Sequence, residues 1–396
     1  MIGFVSCSCF LALVIISSFR FHRYCRRPQP CVDHLPPVTI LKPLCGLEPQ
    51  LEQNLASFFE LDYPEYEIIF GTRDSSDPAL GIVHALRRRY PHVPVKLVFS
   101  GEPQKPNAKV WSLMKMMPQV SADYLIISDS DVRVTPEYLR SVIQPLLDPA
   151  VGLVTCMYRG IPTGGIWSRL EALGMSVEMT AGVVLADMLE GMKFALGPSM
   201  SVRRDALDAI GGVDVLADYC ADDYVLGNEI ANAGYNVVLS QHVIQHFVLG
   251  RSFNSSWEHQ VRWMKSTRFS RPKGHIGTGL TFATPFGILG LIAGALSGHF
   301  LLGIVLFATA ILNRVLMAAV TGWFVVRDPE SLKYSWLYPV RDFLGFALWC
   351  ASFASSEIVW RGEPYRLQLG GFMVRRESPA LVEQDSSEPV TVDDLA

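Results

Sequence analysis

The chain has 396 residues, 49% hydrophobic and only 18% charged, with a formal net charge of −4. Such a composition is too apolar for a purely soluble enzyme of this size, so membrane segments are expected. The acidic balance also argues against a nucleic-acid partner, because such domains concentrate Lys and Arg to neutralise phosphates.

Residues 2–19 run without a charge and are followed by Arg20, His22, Arg23, Arg26 and Arg27. The run is about the minimum length for a span. Charges that follow the apolar run, with no small-residue cleavage site, distinguish a retained anchor from a secretory signal. Residues 1–20 are therefore expected as an anchor with its C-terminal flank in the cytoplasm, and 21–37 as a Pro-rich linker. The eight cysteines form no C-x-x-C pair and have no His at metal-ligand spacing, so reduced thiols are expected.

From residue 38 to about 270, short runs rich in branched and aromatic residues alternate with helical patterns. Strands are predicted at 38–41, 67–71, 95–99 and 124–128, and helices at 51–59, 78–90, 108–117 and 136–147. Alternation of this kind gives an α/β fold, a mostly parallel sheet flanked by helices. Ligands then gather at the carboxyl ends of the strands.

Asp74 closes the second strand, where a nucleotide-binding sheet presents a carboxylate to a base or ribose; Asp77, three residues on, reads as a helix cap. Lys105 to Lys109 form a small basic loop before a helix, suited either to a diphosphate near the helix N-terminus or to solvent. Asp129 and Asp131 form a D-x-D at the end of the fourth strand. Carboxylates so close repel unless a cation or donors compensate them, and a divalent metal, Mg²⁺ or Mn²⁺, fits that pattern. Asp222 and Asp223 precede a helical stretch at 224–233. One is explained by the helix dipole, and Asp223 is the candidate general base, with Asp222 as support.

Residues 165–189 are long and nearly uncharged, with Arg169, Glu171, Glu178 and Asp187 as the few charges. Two readings stand: an interfacial helix that leads a lipid to the site, or an ordinary buried helix. His259, Arg262 and Trp263 lie on a charged amphipathic stretch before the next apolar block. Arg262 and Trp263 can meet phosphate charge and a sugar or base face, or act as interfacial anchors. Residues 278–326 suffice for two membrane helices with a break at Gly298-His299. The run 343–360 carries Glu357 and is either a third span or an interfacial or re-entrant segment. Residues 361–396 form a tail, acidic and expected to be disordered from about 377.

These motifs together resemble the ceramide glucosyltransferase family of membrane-bound GT-A glycosyltransferases. The resemblance runs from the anchor to about Gly371. It is carried by Val38 to Leu44, by Asp74 with Asp77-Pro78-Ala79, by Asn107-Ala108-Lys109-Val110, by Asp129, by Asp223 in Ala-Asp-Asp-Tyr, and by His259 through Trp263. The pattern departs from the family at His259, where Gln or Arg is usual, and at Asp131, where animal members have Gly. Related bacterial hopanoid glycosyltransferases also carry His there.

The resemblance implies a GT-A fold with one N-terminal and two to three C-terminal membrane helices. It implies an integral membrane enzyme with its catalytic domain, residues 38–270, on the cytoplasmic face, and membrane segments at 278–360. The implied reaction is an inverting hexosyl transfer from a UDP-sugar, glucose first, to the hydroxyl of a membrane lipid, ceramide first. Asp74, Lys109, Asp129, Arg262 and Trp263 would bind the nucleotide sugar, Asp129 and Asp131 the metal, Asp222 and His259 would support the acceptor, and Asp223 would be the base. A UDP-N-acetylglucosamine-dependent hopanoid transferase and a non-catalytic membrane scaffold are the alternatives.

Overall fold

The computed structural model describes residues 2–27, 34–360 and 362–375. Residues 28–33 of the predicted linker and the acidic tail beyond 375 lie outside the described residues.

Eight strands form the main sheet: β1 Val38–Pro43, β2 Tyr66–Thr72, β3 Val95–Phe99, β4 Tyr124–Ser128, β5 Val132–Arg133, β6 Val151–Pro162, β7 Ser199–Arg203 and β8 Asn236–Val248. Their order is β3-β2-β1-β4-β7-β6-β8-β5. The first four are parallel, β7 runs antiparallel to both β4 and β6, and β6 and β8 are parallel. The four predicted strands are present within two residues of their expected ends. Leu125, Ile126 and Ile127 of β4 are all buried, and they pack into apolar clusters on both faces of the sheet. That two-sided burial explains an unbroken apolar strand.

Helices Leu51–Ala56, Ala79–Arg89, Ala108–Met116 and Tyr138–Leu146 supply the cover. The Ala108–Met116 helix starts at Asn107, whose side-chain oxygen accepts the backbone N–H groups of Lys109 and Val110, an ordinary N-cap. Between β6 and β7 lies Gly165–Glu190, one continuous helical run with a π-helical segment at Gly174–Met179.

Among the described residues, three helices are long and apolar enough to cross a membrane: Ile2–Cys25, Gly165–Glu190 and Phe300–Val325. The helices Pro272–Thr278 and Ala283–Leu296, bent by 43°, qualify as a fourth if they are taken together. The break after Leu296, at Ser297 to His299, falls where Gly298-His299 predicted it. Of the Gly165–Glu190 window, 56% is buried inside the protein. It packs on β6, on the N-terminal helix and on Tyr338–Ala351, which favours the buried-helix reading. Of the two readings left open for 343–360, the structure speaks against a single spanning helix. The helix there ends at Ala351, and Glu357–Trp360 is a strand, β9, paired antiparallel with β10 Glu363–Leu367, which in turn pairs with β11 Met373–Arg375. The 14-residue helix is about 21 Å long, short of the roughly 30 Å hydrocarbon thickness.

Candidate active site

The site begins under β4. Lys42 of β1 is fully buried; its ammonium donates to the Asp129 carbonyl at 2.6 Å and the Ser128 hydroxyl at 3.2 Å. It also stands 3.5 Å over the Phe58 ring. Burial pulls its pKa down to about 7. Lys42 thus pins the turn on which the D-x-D sits.

Beyond that turn the two carboxylates part. Asp129 opens into a cavity of about 590 Å³, where its Oδ1 is 2.8 Å from the Lys109 ammonium. Asp131 points toward β8 because β5 pairs with it, Val132 opposite His246, and its Oδ2 meets His246 Nε2 at 3.1 Å. Burial raises the Asp129 carboxyl in spite of Lys109. Burial acts on Asp131 too, but there His246 wins and holds the carboxyl below its usual value. The other Asp131 oxygen, Oδ1, is buried and has no hydrogen-bond partner among the described residues.

The Asp222–Asn232 helix brings in the second acidic pair. Its Gly227 allows the helix to lie directly on residues 194–195, where a Cβ would collide with the Ala195 nitrogen. Asp222 is tied to the Ala108–Met116 helix, accepting from Asn107 Nδ2 at 3.3 Å and facing Lys109 at 3.4 Å. Burial disfavours the Lys109 charge, yet Asp129 and Asp222 together hold its pKa above the ordinary value. Asp223 accepts two backbone N–H groups, from Gly197 and Tyr224, each at 2.8 Å. Burial and the neighbouring Asp222 push its pKa up to about 6, within the range of a working general base.

The third wall is the Phe253–Ser270 helix, from which Gln260, Arg262 and Trp263 line the cavity. The Arg262 guanidinium lies 5.4 Å from the ring of Trp360 at the end of β9. His259 does not line the cavity. Its Nδ1 meets Glu171 Oε1 at 3.1 Å, with Ser256 donating to the other Glu171 oxygen at 2.8 Å and Gln260 to Ser256 at 2.9 Å.

The structure therefore gathers Lys109, Asp129, Asp222, Asp223, Arg262 and Trp263 around one cavity and sets Asp131 and His259 behind it. Asp74 stands apart. Its exposed carboxylate accepts from the Ser76 backbone and hydroxyl, two residues past the end of β2. Lys105 pairs with Asp218 at 3.2 Å, and Asp77 accepts the Gly46 and Ala79 backbone N–H groups. Sequence reasoning missed Tyr158 and His246, which also line the cavity. The period-two placement of His242 and His246 in a strand was the available signal for the latter. Glu171 had been noted as a rare charge, but its partner 88 residues away gave no local sign.

From the acidic end the cavity continues along the Gly165–Glu190 helix past Met175, Met179, Gly182 and Val183, and reaches His275 and Thr278 at the start of the apolar block. A Cβ on Gly182 would meet nothing within 4 Å. The acidic cluster thus shares its cavity with a trough of apolar side chains, Met175, Met179 and Val183, in which Glu178 and Arg341 also stand.

The model of glycosyl transferase family 21 matches residues 4–373. The chain is 25% identical over 383 residues to ceramide glucosyltransferase 3 of Caenorhabditis elegans, covering 93% of this chain and 81% of the relative. A shorter stretch of 112 residues, 27% of this chain and 22% of the relative, is 37% identical to the ceramide glucosyltransferase of Komagataella phaffii. Among solved structures, a Pyrobaculum calidifontis mannosyltransferase with GDP-mannose and Mn²⁺ aligns over 87% of this chain and 98% of its own, at 18% identity and a TM-score of 0.48.

Proposed function

The chain belongs to glycosyl transferase family 21, and on that premise we propose that it transfers glucose from UDP-glucose to the primary hydroxyl of ceramide with inversion. One observation carries the reading: Lys109, Asp129, Asp222 and Asp223 share one cavity with Met175, Met179 and Val183 of the membrane-length helical run Gly165–Glu190. A charged donor and a lipid acceptor need those two environments in one space. The kinship to ceramide glucosyltransferases over 93% of the chain supports both substrates.

In this reading the acceptor oxygen attacks the anomeric carbon while Asp223 takes the hydroxyl proton. The bond from that carbon to the β-phosphate oxygen breaks, and its electron pair leaves with UDP. Lys109 and Arg262 offer positive charge to the diphosphate, and Trp263 an aromatic face to the sugar. Asp74 is assigned to the nucleoside at the far end of the donor.

The acidic pair also fits a divalent ion. Among the described residues no group of three or more His, Cys, Asp or Glu side chains is arranged to hold a metal, but Mg²⁺ or Mn²⁺ needs only one or two carboxylates when substrate phosphates complete its shell. Asp129 faces the cavity, and Asp131 has a buried oxygen without a partner. Such an ion would neutralise charge on the departing diphosphate. The basic flank Arg20 to Arg27 supports a cytoplasmic catalytic face.

The test is direct. Purified protein in lipid nanodiscs, given UDP-glucose, Mn²⁺ and ceramide, should yield β-glucosylceramide by mass spectrometry. A hopanoid glycosylated in place of ceramide would move the acceptor assignment, and UDP-glucose left intact with every lipid would end the reading.

A further inference from the structure

Arg341, on the Tyr338–Ala351 helix, lines the cavity yet is only 5% exposed. Its Nη2 pairs with Glu178 Oε2 at 3.0 Å, and its Nε and Nη1 have no hydrogen-bond partner among the described residues. The adjacent buried pair shows what full satisfaction looks like here. Arg314 meets Asp342 at 2.9 Å and Asn313 through its other nitrogens, and the second Asp342 oxygen accepts the Thr284 N–H at 2.7 Å. A purely structural guanidinium would be answered in the same way, because an unpaired buried donor costs free energy.

The backbone has also been shaped around Arg341. The π-helical segment Gly174–Met179 carries Glu178, and Gly174 at its start faces the guanidinium, where a Cβ would collide with Nε. Single π-turns inside long helices are rare and are frequent at functional positions. Gly345, one turn along from Arg341, leaves Glu178 its room: a Cβ there would stand 3.3 Å from Oε2.

We infer that Arg341 and Glu178 form a reading station for the acceptor, which takes a secondary amide next to the reacting hydroxyl and so selects an N-acylated amino alcohol. This rests on the proposed lipid-glycosylating reading of the same cavity. The two idle guanidinium N–H groups call for an oxygen acceptor, and the Glu178 carboxylate for an N–H or O–H donor. A secondary amide offers both, an oxygen acceptor and an N–H donor, in one planar group. An ether or a bare hydrocarbon offers no N–H, and an ester answers only the guanidinium.

The experiment uses the full-length protein in nanodiscs with UDP-glucose and two acceptors of equal chain length, one N-acylated and one with the amide replaced by an ether. Wild type should favour the amide by about tenfold or more in kcat/KM. Arg341→Gln should raise the KM of the amide acceptor about tenfold, leave the KM of UDP-glucose in place and erase the preference. Gly174→Ala, which displaces the guanidinium without removing it, should move the same parameters in the same direction. If Arg341→Gln does not fold, Arg341→Lys and Gly174→Ala decide by the same criteria. A preference that survives in the variants, or equal losses on both acceptors, overturns the inference while the transferase reading stands. A wild type that glycosylates neither acceptor brings down that reading and the inference with it.

Discussion

The Lys109 ammonium reaches from its helix to the end of β4 and stands 2.8 Å from Asp129 Oδ1. It also faces Asp222 at 3.4 Å, so one cation balances carboxylates from two distant parts of the chain. Breaking a largely buried pair by deleting one member leaves uncompensated charge, at a cost of roughly 3 kcal/mol. Lys109→Gln should therefore lower the thermal midpoint and raise the KM for UDP-glucose by about tenfold or more. Melting curves and donor titrations on one preparation check both, and an unchanged donor KM would remove Lys109 from the donor site.

Asp223→Asn should reduce turnover by about 10²–10⁴-fold while UDP-glucose still binds, because the backbone N–H groups around it remain. The wild-type rate should also depend on pH. Asp223 must be ionised to accept a proton and titrates at about 6, so kcat/KM should plateau above that value and fall about tenfold per unit below it. Stability moves the other way. The folded value lies above the ordinary 3.8, so the folded state binds the proton more tightly, and this destabilising contribution is complete above about pH 6 and fades as pH falls toward 3.8. Comparing wild-type and Asp223→Asn melting curves across that window tests the sign.

Removal of divalent ions with EDTA should stop transfer, and Mn²⁺ or Mg²⁺ should restore it. Asp131→Asn should raise the metal concentration for half-maximal rate by about 10–100-fold. Full activity in excess chelator would exclude the ion from the reaction.

His259 serves Glu171 and stands outside the cavity. His259→Ala should cost about 1–3 kcal/mol of stability by stranding a buried carboxylate. His259→Gln, which keeps a donor on a side chain of similar reach, should recover most of it. Equal midpoints for wild type and His259→Ala would contradict this role.

Gly182 borders open space in the apolar trough. Gly182→Leu should raise the acceptor KM several-fold with long-chain lipids, less with short-chain ones, and leave the donor KM unchanged. Steady-state kinetics across an acceptor series would show it, and a loss independent of chain length would rule out a tail passing there.

The strands and the acidic clusters were legible because their signals are local. β1 to β4 are short and branched with two buried faces, and Asp129 and Asp223 sit at a strand end and a helix start. What remained hidden depends on pairings between distant segments. His246 meets Asp131 only through the β5–β8 register, and Lys42, one residue past the predicted first strand, carries no local sign of its contact with Asp129. The 343–360 run read as one apolar block because hydropathy averages over the turn after Ala351, where the chain changes from helix to strand.

The small β9–β11 sheet that this change produces clasps the loop before the acidic pair. The Cys220 N–H donates to the Gly371 carbonyl at 3.1 Å, the Met373 N–H to the Asp218 carbonyl at 2.8 Å, and the Tyr219 and Phe372 rings meet tilted, with centroids 4.2 Å apart. The loop that leads into Asp222 is therefore held by residues that follow every helix of the C-terminal apolar block, so its anchoring depends on the far end of the described chain.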